Sequence, residues 1–353
     1  MKDIVVIGGG TGLSTLLRGL KNIRAFRLTA VVTITDEGGS SGTIREEMHI
    51  PPPGDVRNNI VALAEDENLL TQLIRYRFTD TGVFENHSVG NIVLAALTKI
   101  LGSFPEAVMK LSDVLAIQGT VYPVSSQIVR LIAVNNLGET LIGEKGIERY
   151  RGKIIYITTN KRFSAIPEVI MALKSARGIV FGPGSLYTSI IPNILADGVP
   201  EAIAANPCRK VYVANIMTQM GETLGMTLSD HVSEIERYLG SPLDDLIANS
   251  EGIPETLMQR YAEQGAEPVR IDSAAARHTR TTCSDSSSGA GATPSRKKRV
   301  SALSADAFIV QPALGCTTSS VRSVVTTNTV PLPASTRPLD NCSKIGGPSR
   351  WSS

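Results

Sequence analysis

The run Asp3-Ile4-Val5-Val6-Ile7, broken by Gly8-Gly9-Gly10-Thr11-Gly12 and resumed as Leu13-Ser14-Thr15-Leu16-Leu17, constrains the fold of this chain more than any other stretch. Apolar, mostly β-branched residues, then glycines, then apolar residues at helical spacing predict a buried strand, a tight turn and a helix N-terminus. α/β proteins hold phosphate at such a place. Glycine lacks a Cβ, so the backbone approaches an anion closely, and the first helical N–H groups and the positive dipole end face it. The loop does not complete either standard nucleotide fingerprint. A dinucleotide motif counted from Gly8 needs its third glycine at Leu13, and counted from Gly10 it needs one at Thr15; a Walker A loop needs Gly-Lys-Ser/Thr, yet the first lysine after the loop is Lys21. Some other phosphate-bearing ligand is the expectation, rather than NAD or ATP in their usual loops.

The rhythm repeats downstream. An apolar run over 28–34 delivers Thr35-Asp36-Glu37-Gly38-Gly39-Ser40-Ser41-Gly42, so a right-handed βαβ unit places this loop beside the first at one sheet edge. There Asp36 suits a ribose hydroxyl or a magnesium ion, and Ser40, Ser41 and the amides of Gly38 and Gly39 suit phosphate oxygens. In Pro52-Pro53-Gly54-Asp55-Val56-Arg57-Asn58, Asp55 is expected as a helix N-cap. Arg57 in the first turn opposes the helix dipole, a conflict that an anionic ligand resolves. His87-Ser88-Val89-Gly90-Asn91 opens a strongly apolar helix and puts an imidazole and two polar side chains at its start. A strand over 178–181 leads into Gly182-Pro183-Gly184-Ser185-Leu186-Tyr187-Thr188-Ser189, a second loop of the opening type, and a strand over 210–215 ends at Asn215. Ser229-Asp230-His231 reads as a helix cap with a surface or pocket-rim histidine. Residues 119–157 read as short strands with hairpin punctuation, an antiparallel insertion or sheet extension. No GxSxG elbow occurs, and no Ser-His-Asp arrangement is suggested.

Charge divides the chain in two. Residues 1–272 hold 25 Lys/Arg against 30 Asp/Glu, whereas 273–353 hold 10 against 3, so the body is −5 and the tail +7. An acidic body argues against nucleic acid as the main partner. Ser and Thr make up 26 of the 81 tail residues and helical periodicity is lost, which predicts a low-complexity, disordered tail over 273–353. One cysteine, Cys208, lies in the body and no CxxC pair occurs, which points to a reducing compartment and no zinc site. No apolar stretch approaches the ~20 residues of a membrane helix. A cytoplasmic protein without a membrane span is expected, and homo-oligomerisation is left open.

With these loops in view, the chain resembles the gluconeogenesis factor (YvcK-like) family within the CofD-like superfamily. The resemblance covers residues 3 to about 272 and rests on GGGTGLSTLLRGLK (8–21), TDEGGSSG (35–42), PPGDVRN (52–58), HSVGN (87–91), GPGSLYTSIIPN (182–193) and NIMTQMGETLGMTLSDH (215–231). It implies a Rossmann-like α/β fold over 1–272, mostly parallel with helices on both faces. It further implies a cytoplasmic bacterial protein that binds nucleotide sugars such as UDP-GlcNAc or UDP-glucose and supports cell morphogenesis and growth on gluconeogenic carbon sources. The expected ligand-binding set is Gly8, Gly9, Gly10, Thr11, Gly12, Asp36, Gly38, Gly39, Ser40, Ser41, Asp55, Arg57, Asn58, His87, Ser88, Asn91, Gly182, Gly184, Ser185, Thr188 and Asn215. Related 2-phospho-L-lactate transferases use a nucleoside-diphosphate-activated lactate and Mg²⁺; in that alternative Asp36 holds the metal and, with Arg57, carries the transfer. The sequence departs from the family pattern at Glu37, usually a second aspartate, at Leu224, usually an aspartate, and beyond Arg277-His278. No catalytic nucleophile, base or metal cluster stands out, so whether there is turnover is left open.

Overall fold

Alternating strands and helices build one predominantly parallel sheet. The computed structural model describes residues 1–64, 69–79, 82, 84–272 and 299–303. The opening strand β1 (Lys2–Gly8) leads through α1 (Thr11–Leu20) to β2 (Phe26–Val32), which pairs parallel with β1, Ile4 opposite Leu28. A long crossover follows, with α2 (Gly39–Met48), α3 (Gly54–Leu63), α4 (Leu69–Arg75), α5 (Val89–Leu101) and α6 (Phe104–Val114), and returns the chain to β3 (Thr120–Pro123) at the edge beside β2. The second half adds β7 (Gly178–Phe181), β8 (Arg209–Val213) and β9 (Asp245–Asn249) on the other side of β1. The order β3-β2-β1-β7-β8-β9 reverses direction between β1 and β7. That is the doubly wound order of dinucleotide-binding sheets, and the crevice where the order reverses is the usual place for a ligand. Residues 299–303 form a further strand, β10 (Arg299–Leu303), parallel to β9. The rest of the low-complexity tail lies outside the described residues.

Strand periodicity explains the layers. Val5, Ile7 and Val31 face one side, together with residues of α8 (Pro167–Ser175), α9 (Ile191–Ile194), α10 (Val199–Ala205) and α11 (Leu228–Leu239). Ile4, Val6, Ala30 and Val32 face the other, against Leu13, Leu16 and Leu17 of α1, Val56 and Ile60 of α3, and Val108 of α6. Helices therefore cover both faces, as a parallel sheet requires.

The antiparallel insertion is shorter than the sequence suggests. The strand expected at its start, β3, instead joins the main sheet in parallel. The antiparallel sheet comprises β4 (Leu131–Asn135), β5 (Thr140–Ile142) and β6 (Ile154–Thr159), with α7 (Gly143–Arg149) between the last two. The physical reason is the preceding helical excursion. A crossover through α2–α6 returns the chain in the direction it left, which only a parallel partner accepts. The final helix is α12 (Glu255–Glu263).

Candidate functional site

The glycine loop after β1 is held from three directions, and each contact explains a glycine. A Cβ on Gly9 would lie 2.6 Å from Ser189 Oγ and 2.8 Å from Asp55 Oδ2; one on Gly10 would lie 2.7 Å from Asp55 Oδ1; one on Gly12 would lie 2.6 Å from the Pro183 carbonyl. The loops after β1 and β7 thus touch across the sheet reversal. Two buried asparagines fix the loop's carbonyls: Asn59 Nδ2 donates to Gly9 O at 2.8 Å and Asn193 Nδ2 to Gly8 O at 2.9 Å. Thr11 begins α1 and is exposed, its carbonyl accepting from Ser14 and Thr15.

Asp55 does not cap its helix. Pro53 is the residue before α3, and Asp55 lies in the first turn with its carboxylate turned onto Gly9 and Gly10. Burial, then the Asp36 carboxylate, push its pKa up to about 8, opposed by Arg57. Asp36 lies in the loop after β2 and accepts from Gly38 N at 2.7 Å; a Cβ on Gly54 would lie 2.5 Å from its Oδ2 and also meet Ser41. Asp36 raises Glu144 as well, which burial chiefly drives to about 9. Several carboxylates therefore stand around Asp36, although among the described residues no three His, Cys, Asp or Glu side chains form a preformed metal site.

A second group of expected residues meets where α2, α3 and α5 begin. Ser40 Oγ is 3.1 Å from His87 Nδ1, and Asn91 Nδ2 donates to Ser40 Oγ at 3.3 Å and Ser41 Oγ at 3.4 Å. Arg57, 7% exposed, donates to Ser88 Oγ and to Asn58 Oδ1. Its partners are neutral oxygens, and no described ion pair includes it. Burial, then Arg77, lower its pKa to about 10. Gly38 and Gly39 lie exposed at the start of α2, with Gly39 at φ +36°.

The β7 loop is tied to the β8 loop. Asn215 bonds both the N–H and the carbonyl of Gly184 at 2.9 Å, and Gln219 Nε2 donates to Ser185 Oγ at 2.8 Å. Gly182, at φ +74°, would bring a Cβ to 2.9 Å from the Val213 carbonyl. Thr188 is turned inward onto Glu222. Beside this junction a cavity of about 510 Å³ opens between Glu148, Arg151, Met217, Gln219, Glu222 and Tyr261.

Comparison with known proteins agrees with this architecture. The family model described as 2-phospho-L-lactate transferase CofD matches residues 4–287. A Thermotoga maritima protein carrying the gluconeogenesis factor name is 54% identical over 76% of this chain and 85% of its own length. The chain belongs to the gluconeogenesis factor family, of the CofD type. The Bacillus subtilis gluconeogenesis factor is 43% identical over 76% of this chain and 85% of its own. A crystal structure of a UPF0052 family member from Bacillus halodurans superposes with a TM-score of 0.76 at 44% identity, covering 78% of this chain and 89% of that one.

At the points where this chain departs from the family pattern, the local contacts are clear. Glu37 pairs with Arg45 at 2.7 Å and Arg130 at 3.4 Å. Leu224 is exposed. His231 corrects the expectation of a surface or rim position. It is fully buried, with Nδ1 2.8 Å from Thr227 O, and the helix cap is Thr227, paired with Asp230 in a capping box. Asn59, Asn193 and Glu222 were not expected at the site. Asn59 and Asn193 stand inside the quoted motifs' neighbourhood, but only the fold shows that they face the β1 loop. Among the described helices none is long and apolar enough to cross a membrane.

Proposed function

We propose that this chain binds a nucleotide sugar of the UDP-GlcNAc or UDP-glucose type along the carboxyl edge of the sheet, and acts without turnover as a cytoplasmic regulator of cell shape and of growth on gluconeogenic carbon. The observation that carries this reading is the meeting of the β1 and β7 glycine loops at the sheet reversal. The diphosphate lies against residues 8–12 and 38–41, Arg57 balances its charge with Asn58 beside it, and His87, Ser88 and Asn91 form the rim. Gly182, Gly184, Ser185, Thr188 and Asn215 form the opposite wall. Asp36 and Asp55 stand close to that phosphate path, so an anion there needs a cation or a proton between. Mg²⁺ takes one or two carboxylates together with ligand phosphates, and this donor set suits it; Asp36, with Asp55, would hold the ion, which would neutralise phosphate charge.

A second reading is favoured by the CofD family match. In a phosphotransferase of the 2-phospho-L-lactate type, catalysis is mostly positioning and charge neutralisation, so the absence of an obvious nucleophile does not count against it. Arg57 would steady the leaving phosphate there. Calorimetry with UDP-GlcNAc, UDP-glucose, GDP and GTP, with and without Mg²⁺, separates the two. Binding of a UDP-sugar supports the regulator, and where it needs no metal it also removes the transferase; a magnesium-dependent preference for guanine nucleotides does the reverse.

A further inference from the structure

The start of the helical turn Leu186–Ile190, which the sequence presents as a phosphate seat, already holds an anion supplied by the chain itself. Glu222 is 5% exposed; its Oε2 accepts from Tyr187 N–H and its Oε1 from Thr188 Oγ, each at 2.9 Å. The Thr188 carbonyl accepts from Thr35 Oγ1 at 3.3 Å, and Thr35 Oγ1 lies 2.8 Å from Thr33 Oγ1. A buried line of hydrogen bonds therefore runs from the cavity wall, where Glu222 stands, through the β7 loop to the residue that precedes Asp36.

We propose that Glu222 is a positioning residue for the nucleotide-sugar site: as a carboxylate it locks the β7 loop and, through Thr188 and Thr35, sets the loop that carries Asp36. The proposal rests on the ligand reading above for its functional consequence, while the lock itself does not. A carboxylate accepts from both donors at once and does so with a charge-assisted bond, whereas the neutral acid has one fewer acceptor and a weaker hold. The charged and titratable groups sharing the cavity wall are Glu148, Arg151 and Tyr261. Burial raises Glu222 to about 7, Glu148 adds to that, and the bonds from Tyr187 and Thr188 oppose it, so the lock changes state near neutral pH.

The test compares the full chain with Glu222→Gln between pH 6 and 8.5, by hydrogen-exchange protection factors over 185–190 and by calorimetry with UDP-GlcNAc. In the wild type, protection of the Tyr187 amide and ligand affinity should both rise as pH passes about 7. Glu222→Gln should stay at the acid level throughout, about 10-fold lower in affinity at pH 8. Thr35→Val, which removes the donor to the Thr188 carbonyl at a residue outside the ligand set, should keep the pH-dependent protection of the Tyr187 amide and lower the affinity at pH 8, which serves if Glu222→Gln does not fold; unchanged affinity in Thr35→Val overturns the relay to the Asp36 loop. Wild-type affinity with an unchanged pH profile in Glu222→Gln overturns the proposal. Should the wild type bind no UDP-GlcNAc at any pH, the ligand reading falls and exchange alone decides: pH-dependent protection lost in Glu222→Gln upholds the lock, and its persistence removes it.

Discussion

Gly10 and Gly12 have the same sequence appearance and different surroundings. A methyl on Gly12 would meet backbone, the Pro183 carbonyl at 2.6 Å, whereas one on Gly10 would meet the end of a side chain, Asp55 Oδ1 at 2.7 Å. Backbone on both sides cannot yield cheaply, so Gly12→Ala should cost about 2–3 kcal/mol in urea denaturation and Gly10→Ala clearly less. Asp55 supplies a pH test. Its folded pKa, about 8, stands above the 3.8 of an ordinary aspartate. Its favourable contribution is therefore complete below about pH 4 and lost as pH rises through about 8. Asp55→Asn should gain stability relative to wild type between pH 5 and pH 9, read from urea midpoints; a constant difference would show that Asp55 stays ionised throughout. The glycine positions were legible in the sequence because glycine after an apolar run has few other uses. Their partners were not. Asn59 meets Gly9 across 50 residues and Asn193 meets Gly8 across 185, distances over which local spacing carries no information.

Among the elements, legibility followed length and periodicity. β1, β2, β7 and the amphipathic α11 announce themselves through apolar runs or a 3.6-residue pattern. β3 does not: four residues, Thr-Val-Tyr-Pro, fit a hairpin as well as a parallel edge, and only the crossover through α2–α6 decides. The start of α11 was displaced for a related reason, since Thr227, Ser229 and Asp230 are all capping residues and choosing among them needs the backbone geometry. There Thr227 accepts from the Asp230 amide and Asp230 returns the bond to the Thr227 amide. Thr227→Ala removes half of that box and should lower stability by about 1 kcal/mol, while Asp230→Ala should do much the same. The two losses together should fall short of their sum in a double-mutant cycle, because each single change already breaks the pair.

Taken whole, the molecule puts its first strand in the middle. β1 is flanked by β2, its near neighbour along the chain, and by β7, with Ile4 opposite Gly178 and Gly182 N–H donating to Ile7 O at 2.9 Å. The crevice between the β1 and β7 loops therefore has no existence until two segments about 170 residues apart have joined. Such a long loop must close before its contacts reward it, which places the event late in folding. In pulsed hydrogen exchange during refolding, the amide of Gly182 and the β7-facing amides of β1 should gain protection together and after the β2-facing ones; simultaneous protection of all of them would contradict this order. On the ribosome the consequence is one of timing. The chain displays its glycine loop to the cell from the first seconds of synthesis, yet the far wall of the crevice is added only when more than half of the protein has left the tunnel, so the crevice itself is a late product of synthesis.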